Sequence, residues 1–235
     1  MAWFQPKDIF AVPSFVELLV QRAKAGKVDL GNLSSLISGG APQSSETAEY
    51  LESLGIYTIS LYGATETAGI VDYSLPSRFR RGSVGMPGPW NDIRISPQGE
   101  VLVKGPQVML RYLDDPEATA QALVEGWYHT GDLGSMDQDG FLYITGRISN
   151  VIVLSNGENV SPEAVEAKLS GCPDILECAV LGRGDKLVAQ VWCGADAGEL
   201  LRSRIKEFVA AYNRTVPSLS LIHISEPTRP QPISY

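Results

Sequence analysis

The chain has 235 residues, 44% of them hydrophobic, which is enough for one large domain or for a large domain with a small one. Its net charge of −8 argues against nucleic acid or an anionic membrane surface as the main partner, because both would be repelled. No apolar run approaches the roughly 20 residues of a membrane helix, and no secretory signal is evident. We therefore expect a cytoplasmic protein without a transmembrane segment.

Helices and strands alternate in the first third of the chain. Pro13 begins a predicted helix that ends before Gly26, and Phe15, Leu18 and Leu19 share one of its faces. The predicted elements, in chain order, are a helix at 13–25, a strand at 33–37, a helix at 44–54 and a strand at 57–62. This alternation predicts a parallel sheet with helices on its faces.

The pattern changes near residue 82, where short strands separated by turns rich in Gly and Pro become dominant. Strands are predicted at 92–95, 100–104 and 141–145, with one helix at 116–124. This pattern is typical of an antiparallel sheet or of a small barrel-like subdomain.

A third region follows Arg147 and predicts a small α+β unit. A strand at 151–154 precedes a turn, and Ser161 with Pro162 then begins a helix, because Ser is a favoured cap and Pro a favoured first residue. Two strands, at 177–181 and 187–192, come before a last helix. The apolar stripe of that helix comprises Leu201, Ile205, Phe208, Val209 and Tyr212.

Residues 219–235 have no helical stripe and contain three prolines, so we do not expect them to pack against the preceding helix. They resemble a peptide translated from sequencing-adapter DNA. We interpret them as a non-native tail, and a genuine flexible tail is the alternative.

The segment L-Y-G-A-T-E-T at 61–67 carries groups suited to a nucleotide. Tyr62 offers an aromatic face to a purine, and Gly63 permits close approach. Thr65 supplies a hydroxyl for a phosphate oxygen, and Glu66 supplies a carboxylate for Mg²⁺. The alternative is that Thr65 and Glu66 cap a following helix.

Three further segments offer groups of the same kind. Asp132 follows a predicted turn at Gly131 and can accept hydrogen bonds from two ribose hydroxyls, or it caps the turn. The guanidinium of Arg147 can donate to ribose and phosphate oxygens, or it forms a surface salt bridge. In S-G-G-A-P at 38–42, Gly39 and Gly40 let the backbone lie against a ligand, or simply connect a strand to a helix.

The order and spacing of these motifs resemble the adenylate-forming (AMP-binding) superfamily of acyl-CoA synthetases, adenylation domains and luciferases. The resemblance covers residues 10–218 and is most like fatty acyl-CoA synthetases. It implies that the following residues bind ATP or AMP: Gly39, Gly40 and Ala41 beside the adenine, Tyr62 and Gly63 against it, Thr65 at the phosphate, and Asp132 and Arg147 at the ribose. It implies catalytic roles for Thr65 and Glu66, with Glu66 as the Mg²⁺ ligand.

The resemblance also divides the chain into domains. Residues 1–149 match the end of the large domain, with an α/β layer at 1–81 and a β-rich subdomain at 82–149. Asn150 occupies the hinge, and residues 150–218 match a truncated α+β C-terminal domain. In that domain Gly157 is expected near the pantetheine of CoA, although an ordinary hairpin turn explains it equally well. The stretch at 99–112 also matches, and we interpret it as structural.

Two family features have no counterpart in this sequence. The Ser/Thr/Gly-rich phosphate loop expected upstream of Ser38 is missing, as is the catalytic lysine near the end of the small domain. These features normally hold the β- and γ-phosphates and stabilise charge on the reacting groups. We therefore expect a fragment that has little or no activity alone.

Three functions remain open. The first is an ATP-dependent acyl-CoA synthetase, an acid–thiol ligase that takes a carboxylic acid, ATP, Mg²⁺ and CoA, with a fatty acid as the expected substrate. The second is an adenylation domain that loads a carrier protein. The third is a non-catalytic nucleotide-binding module.

Overall fold

A computed structural model of the chain describes residues 6–40, 45–73, 80–155, 157–184, 186–193, 198–216 and 222–225. The chain divides into two compact units, Met1–Ile144 and Thr145–Tyr235. No helix within the described ranges has the length and apolar character needed to cross a membrane.

The unit boundary lies a few residues before Asn150, the predicted hinge. The segment from Thr145 onward groups with the second unit, and within that unit the Ser161 hydroxyl donates a 2.7 Å hydrogen bond to the Thr145 carbonyl. The Asn150 side-chain amide likewise donates to Glu163 Oε1 at 2.5 Å. A hinge at Asn150 stays a prediction.

The first unit begins with a five-stranded sheet in the order β1 to β5. Its strands are β1 (Asp8–Ala11), β2 (Ser35–Gly39), β3 (Tyr57–Ala64), β4 (Gly69–Tyr73) and β5 (Met86–Pro87). The first three strands pair in parallel, as predicted, and β4 and β5 join them antiparallel. The parallel strands are connected by α1 (Pro13–Lys24) and α2 (Ser45–Ser53).

The buried stripe of α1 is formed by its valines, with Leu19 packed beside them. Val16 and Val20 are buried and belong to a core cluster with Leu36 and Leu51, whereas Phe15 is half exposed. Val16 and Val20 are four residues apart, so they lie on one stripe, and this stripe rather than the one with the larger side chains packs against the sheet.

The second sheet of the first unit is antiparallel, as one of the two alternatives predicted. It comprises β6 (Asp92–Ile95), β7 (Glu100–Lys104), β8 (Leu123–Val124), β9 (Trp127–Met136) and β10 (Leu142–Arg147). The last three residues of β10, from Thr145, are grouped with the second unit. Its order is β10–β9–β7–β6, with β8 paired to β9, and α3 (Pro116–Ala122) precedes β8.

The described strands of this subdomain form an open sheet and no closed barrel. Gly85 forms a bridge with Leu142 of β10, and the Leu142 N–H donates to the Gly85 carbonyl at 2.9 Å. The segment at Gly85 therefore occupies hydrogen-bonding groups of β10 that would be needed to close the sheet into a barrel.

The second unit is an α+β unit with its own core. It contains the hairpin of β11 (Ile152–Val153) and β12 (Asn159–Val160), α4 (Pro162–Leu169), β13 (Glu177–Arg183), β14 (Lys186–Trp192) and α5 (Glu199–Asn213). The Ser161 side chain caps α4 by accepting from the Ala164 N–H at 3.3 Å, as predicted. The predicted stripe of α5 is also confirmed, with Ile205 and Val209 buried in the core.

The expectation that the tail would not pack is wrong for one segment. Ile222–Ser225 forms β15, which pairs in parallel with β14. Ile222 is buried, and the Asn213 side chain both accepts from its N–H and donates to its carbonyl, each at 2.9 Å. Ile222 is apolar and β-branched, which favours a strand, and the edge of β14 offers backbone groups with which that strand can pair.

Candidate functional site

A cavity of about 570 Å³ opens at the carboxyl ends of β2 and β3. The cavity brings together five predicted site residues, which are Gly39, Gly40, Tyr62, Gly63 and Thr65. Ligands of α/β proteins commonly bind at this edge of the sheet. Ala41, predicted beside them, lies outside the described residues.

The two glycines shape one wall of the cavity for different reasons. A Cβ atom on Gly39 would lie 3.0 Å from the Leu61 carbonyl oxygen and 3.2 Å from its Cβ, so only glycine lets β2 approach β3 this closely. Gly40 has φ of +87°, a conformation that other residues rarely adopt. At these two positions the wall is backbone without side chains, and its contact with an adenine ring stays a prediction.

Tyr62 lines the cavity and contacts Asp132, which is itself not among the lining residues. The Tyr62 hydroxyl donates to Asp132 Oδ2 at 2.8 Å. Burial raises the pKa of Tyr62 well above its usual range, so the hydroxyl keeps its proton and remains a donor. Asp132 itself lies in β9, where its N–H donates to Thr130 Oγ1 at 3.0 Å and that hydroxyl donates to the Val101 carbonyl at 2.8 Å. The carboxylate of Asp132 is thus held by its backbone in β9 and by the Tyr62 hydroxyl from β3.

Thr65 and Glu66 lie in a 3₁₀ turn, Thr65–Thr67, that leads into β4. The Thr67 hydroxyl holds the turn by donating to the Ala64 and Gly69 carbonyls at 2.9 and 3.0 Å and accepting from the Ala64 N–H. A strand rather than a helix follows the turn, so the alternative that these residues cap a helix is wrong. Thr65 is exposed and lines the cavity.

Glu66 is fixed by contacts that the sequence did not reveal. The Tyr112 hydroxyl donates to its Oε1 at 2.8 Å, and the Met109 N–H donates to its carbonyl at 2.7 Å. The residues are 46 positions apart for the first contact, and no local signal links them.

The donor chemistry at Glu66 fits Mg²⁺. Among the described residues there is no group of three or more metal-binding side chains. Mg²⁺ usually binds proteins through one or two carboxylates and takes its other ligands from phosphates and water. A single carboxylate such as that of Glu66 meets that requirement.

Arg147 and Asn150 belong to the second unit. There the Glu163 carboxylate accepts hydrogen bonds from the segment that contains them. Although burial opposes ionisation, hydrogen bonds from Asn150, Ser161 and the Arg147 backbone N–H lower the pKa of Glu163. A Cβ atom on Gly146 would lie 2.2 Å from Ser161 Oγ, so this segment passes against the start of α4. The role of Arg147 at the ribose stays a prediction.

Gly157 lies in the turn of the β11–β12 hairpin. Its N–H donates to the Leu154 carbonyl at 2.8 Å, and its φ is +80°. This geometry is that of a tight hairpin turn, and the approach of Gly157 to pantetheine stays a prediction.

Comparisons with known proteins agree with these observations. The family model described as AMP-binding enzyme matches residues 2–113, and the model of the AMP-binding enzyme C-terminal domain matches residues 149–226. A long-chain-fatty-acid–CoA ligase from Mycobacterium bovis is 40% identical over 152 residues, which are 65% of this chain and 25% of that protein. A feruloyl-CoA synthase from an Amycolatopsis species is 34% identical over 190 residues, covering 75% of this chain and 38% of that protein.

Solved structures share the fold. The O-succinylbenzoate–CoA synthetase from Bacillus subtilis, determined in complex with AMP, superposes with a TM-score of 0.79 at 25% identity, covering 96% of this chain and 48% of that one. The chain spans a quarter to two fifths of the length of the curated relatives it matches.

Proposed function

Since this chain belongs to the AMP-binding enzyme family, we propose that it forms part of an ATP-dependent acid–thiol ligase that makes acyl-CoA. In the first reaction a carboxylate oxygen attacks the α-phosphorus of ATP, and pyrophosphate leaves. In the second, the thiol sulfur of CoA attacks the acyl carbon, its proton is lost, and AMP leaves. The curated relatives are longer than this chain, and we expect the whole reaction to need groups from their additional length.

The first unit supplies the nucleotide-binding part of this reaction. Tyr62 and the backbone of Gly39 and Gly40 contact the adenine, and Asp132 accepts hydrogen bonds from the ribose hydroxyls. The observation that carries this proposal is the 2.8 Å hydrogen bond between Tyr62 and Asp132 beside the cavity. It holds an aromatic ring and a carboxylate at a fixed spacing, as a nucleoside needs.

Thr65 and Glu66 act at the phosphates in this proposal. The Thr65 hydroxyl donates to an α-phosphate oxygen, and Glu66 holds Mg²⁺. Bound Mg²⁺ neutralises charge on the phosphate oxygens. The protein residues orient the phosphate and keep the metal beside it. Arg147, from the second unit, is proposed to donate to the ribose and phosphate.

The acid is proposed to be a fatty acid, which occupies the apolar part of the same cavity. Phe10, Leu61, Ala64 and Ala68 line that part. The relative from Mycobacterium bovis is named a long-chain-fatty-acid–CoA ligase. CoA is favoured over a carrier protein as acceptor, because relatives matched along this chain are named CoA ligases or synthases. Gly157 is proposed to contact the pantetheine.

The proposal is tested by titrating the chain with AMP and following ligand NMR signals. We expect weak binding that is lost in Asp132→Ala and kept in Asp92→Ala, which removes an exposed carboxylate from β6. The isolated chain is expected to show little or no ATP–pyrophosphate exchange. Absence of AMP binding, or binding that survives Asp132→Ala, would contradict the proposed site, and robust exchange would contradict the inactivity of the isolated chain.

A further inference from the structure

We propose that Thr67 is a positioning residue for Thr65, holding the 3₁₀ turn so that the Thr65 hydroxyl faces the phosphate of a bound nucleotide. This inference rests on the proposed function, because it needs Thr65 to contact the α-phosphate. Its new content is the assignment of Thr67, a buried residue for which the sequence indicated no role.

The first argument is the way in which the turn is closed. Residues 65–68 connect β3 to β4, and Ala64 and Gly69 are the strand partners nearest the turn. The Thr67 hydroxyl accepts from the Ala64 N–H at 2.9 Å, and its hydrogen is shared by the carbonyls of Ala64 at 2.9 Å and Gly69 at 3.0 Å. One side chain thus links the two strands at the point where the turn begins and ends.

The second argument is that Thr65 and Thr67 point in different directions. A 3₁₀ helix has about three residues per turn, so side chains two residues apart lie about 120° apart around its axis. The Thr67 side chain is buried, with only 1% of the residue exposed, whereas Thr65 is exposed and lines the cavity. Burial of Thr67 on one side of the turn therefore presents Thr65 on another side, towards the cavity.

The third argument is the backbone conformation that follows Thr67. Ala68 has φ of 52° and ψ of 30°, the left-handed region that residues with a side chain seldom adopt, and its N–H donates to the Thr65 carbonyl at 3.1 Å. Such a conformation persists only where surrounding contacts hold it, and the Thr67 hydroxyl supplies contacts at both ends of the turn. The Thr65 hydroxyl is thus fixed before a nucleotide binds, so little freedom is lost on binding.

The test compares the affinities of this chain for AMP and for adenosine, measured by ligand NMR titration in EDTA. Because EDTA removes metal ions, the ratio of the two affinities reports the phosphate contribution alone. Thr67→Val keeps the shape of the side chain without its hydroxyl, so we expect an unchanged affinity for adenosine and a ratio reduced about 5-fold to 10-fold. Thr67→Ser restores the hydroxyl and should restore the ratio, and equal ratios in the two variants would overturn the inference.

The matched control is Thr58→Val, the same substitution at another position on β3. The Thr58 hydroxyl is buried and has no hydrogen-bond partner within the ranges that the structure describes. Its removal should therefore leave the ratio of AMP to adenosine affinity unchanged. A fall as large as that in Thr67→Val would overturn the inference, because the effect would then not depend on the hydrogen bonds of Thr67.

Thr65→Val separates this inference from the proposed function. It should lower the ratio about 10-fold, and adding Thr67→Val to it should change nothing more. If the wild-type chain binds AMP and adenosine equally, both the phosphate contact and the positioning role fail. If Thr65→Val lowers the ratio and Thr67→Val does not, the positioning role fails alone. A Thr67→Val variant that loses affinity for both ligands equally would assign Thr67 a merely structural role.

A measurement on the wild-type chain keeps the test decisive if Thr67→Val does not fold. The Ala64 N–H donates to the Thr67 hydroxyl, so its hydrogen exchange reports whether the turn is held. We expect slow exchange of this amide both with and without AMP. Fast exchange in the free chain that becomes slow only with AMP would show that the ligand forms the turn, and it would overturn the inference.

Discussion

The hydroxyl of Tyr62 on β3 donates a 2.8 Å hydrogen bond to Asp132 on β9, a residue 70 positions later in the chain. The bond joins the two sheets of the first unit at the cavity edge. It also makes the two residues dependent on each other, because the tyrosine orients the carboxylate that we propose for the ribose.

Removal of that hydroxyl in Tyr62→Phe should weaken AMP binding while the aromatic face remains. Hydrogen bonds to charged groups contribute about 1.5–3 kcal/mol, so we expect affinity to fall roughly tenfold or more. Calorimetry or ligand NMR measures the change. Tyr57→Phe, at an exposed position on the same strand, is the control and should bind AMP normally. Equal affinities for both variants would contradict the role of the hydroxyl.

A methyl group at residue 39 should separate β2 from β3. The Cβ of Gly39→Ala would lie 3.0 Å from the Leu61 carbonyl oxygen, a backbone atom that cannot rotate away. We expect a loss of about 1–3 kcal/mol in the free energy of unfolding, together with weaker AMP binding. Chemical denaturation measures the first quantity. Gly88→Ala, whose nearest contact is an ordinary 3.4 Å, should cost much less, and equal losses would count against the close approach.

Asp72 on β4 should make the stability of the first unit depend on pH. The residue is fully buried, so the cost of desolvating the charged carboxylate outweighs the backbone hydrogen bond from Tyr73 that favours it. Burial raises its pKa from 3.8 to about 7. Between these values the folded chain binds more protons than the unfolded chain, so the free energy of unfolding falls as pH rises from about 4 to about 7.

Asp72→Asn removes this titration. We expect the variant to be more stable than the wild type above pH 7, by up to about 4 kcal/mol, with a smaller or no advantage at pH 4. Denaturation curves at both pH values measure the difference. Identical pH dependence in the two proteins would show that Asp72 ionises normally.

Loss of the Glu163 carboxylate should loosen residues 145–150 in the second unit. The carboxylate accepts from the Asn150 amide and the Arg147 backbone N–H, and it shares the Ser161 hydroxyl hydrogen with the Thr145 carbonyl. Glu163→Ala removes all of these contacts at once. We expect faster amide hydrogen exchange in this segment and a loss of about 1–3 kcal/mol in stability. Glu207→Ala, at an exposed position on α5, is the control. Unchanged exchange in Glu163→Ala would contradict these contacts.

Local signals predicted those elements that are determined locally. The bounds of β6 and β7 agree with the sequence pattern, and α4 begins after Ser161 with Pro162 in its first position. Capping and short-range alternation act over a few residues, so one segment carries the whole signal.

Elements that depend on distant partners were missed. Gly131 and Asp132 indicated a turn, yet both lie inside β9, at a shift in its register with β7. Gly131 has φ of +71°, and the N–H groups of Gly131 and Asp132 donate to Glu100 Oε1 and Thr130 Oγ1, contacts that the local sequence does not indicate. β15 was also missed, because its extended conformation is stabilised by pairing with β14 rather than by a signal in its own sequence.

The site was predicted only in part. Residue types within one motif, such as Tyr62, Thr65 and Glu66, could be named from their chemistry. Asp132 could be named as well, but its hydrogen bond to Tyr62 and the contact of Tyr112 with Glu66 could not, because both depend on packing between segments that are distant in sequence. The burial of Asp72 also follows only from packing between strands, since the sequence around it does not distinguish an internal carboxylate from an exposed one.

The most direct test of the account compares binding of AMP and of 2′,3′-dideoxy-AMP to the same chain. If Asp132 accepts hydrogen bonds from the ribose hydroxyls, the wild type should bind AMP at least about tenfold more tightly than the dideoxy analogue, and Asp132→Ala should bind both equally. Equal binding of the two nucleotides by the wild type, or a preference that persists in Asp132→Ala, would contradict the account.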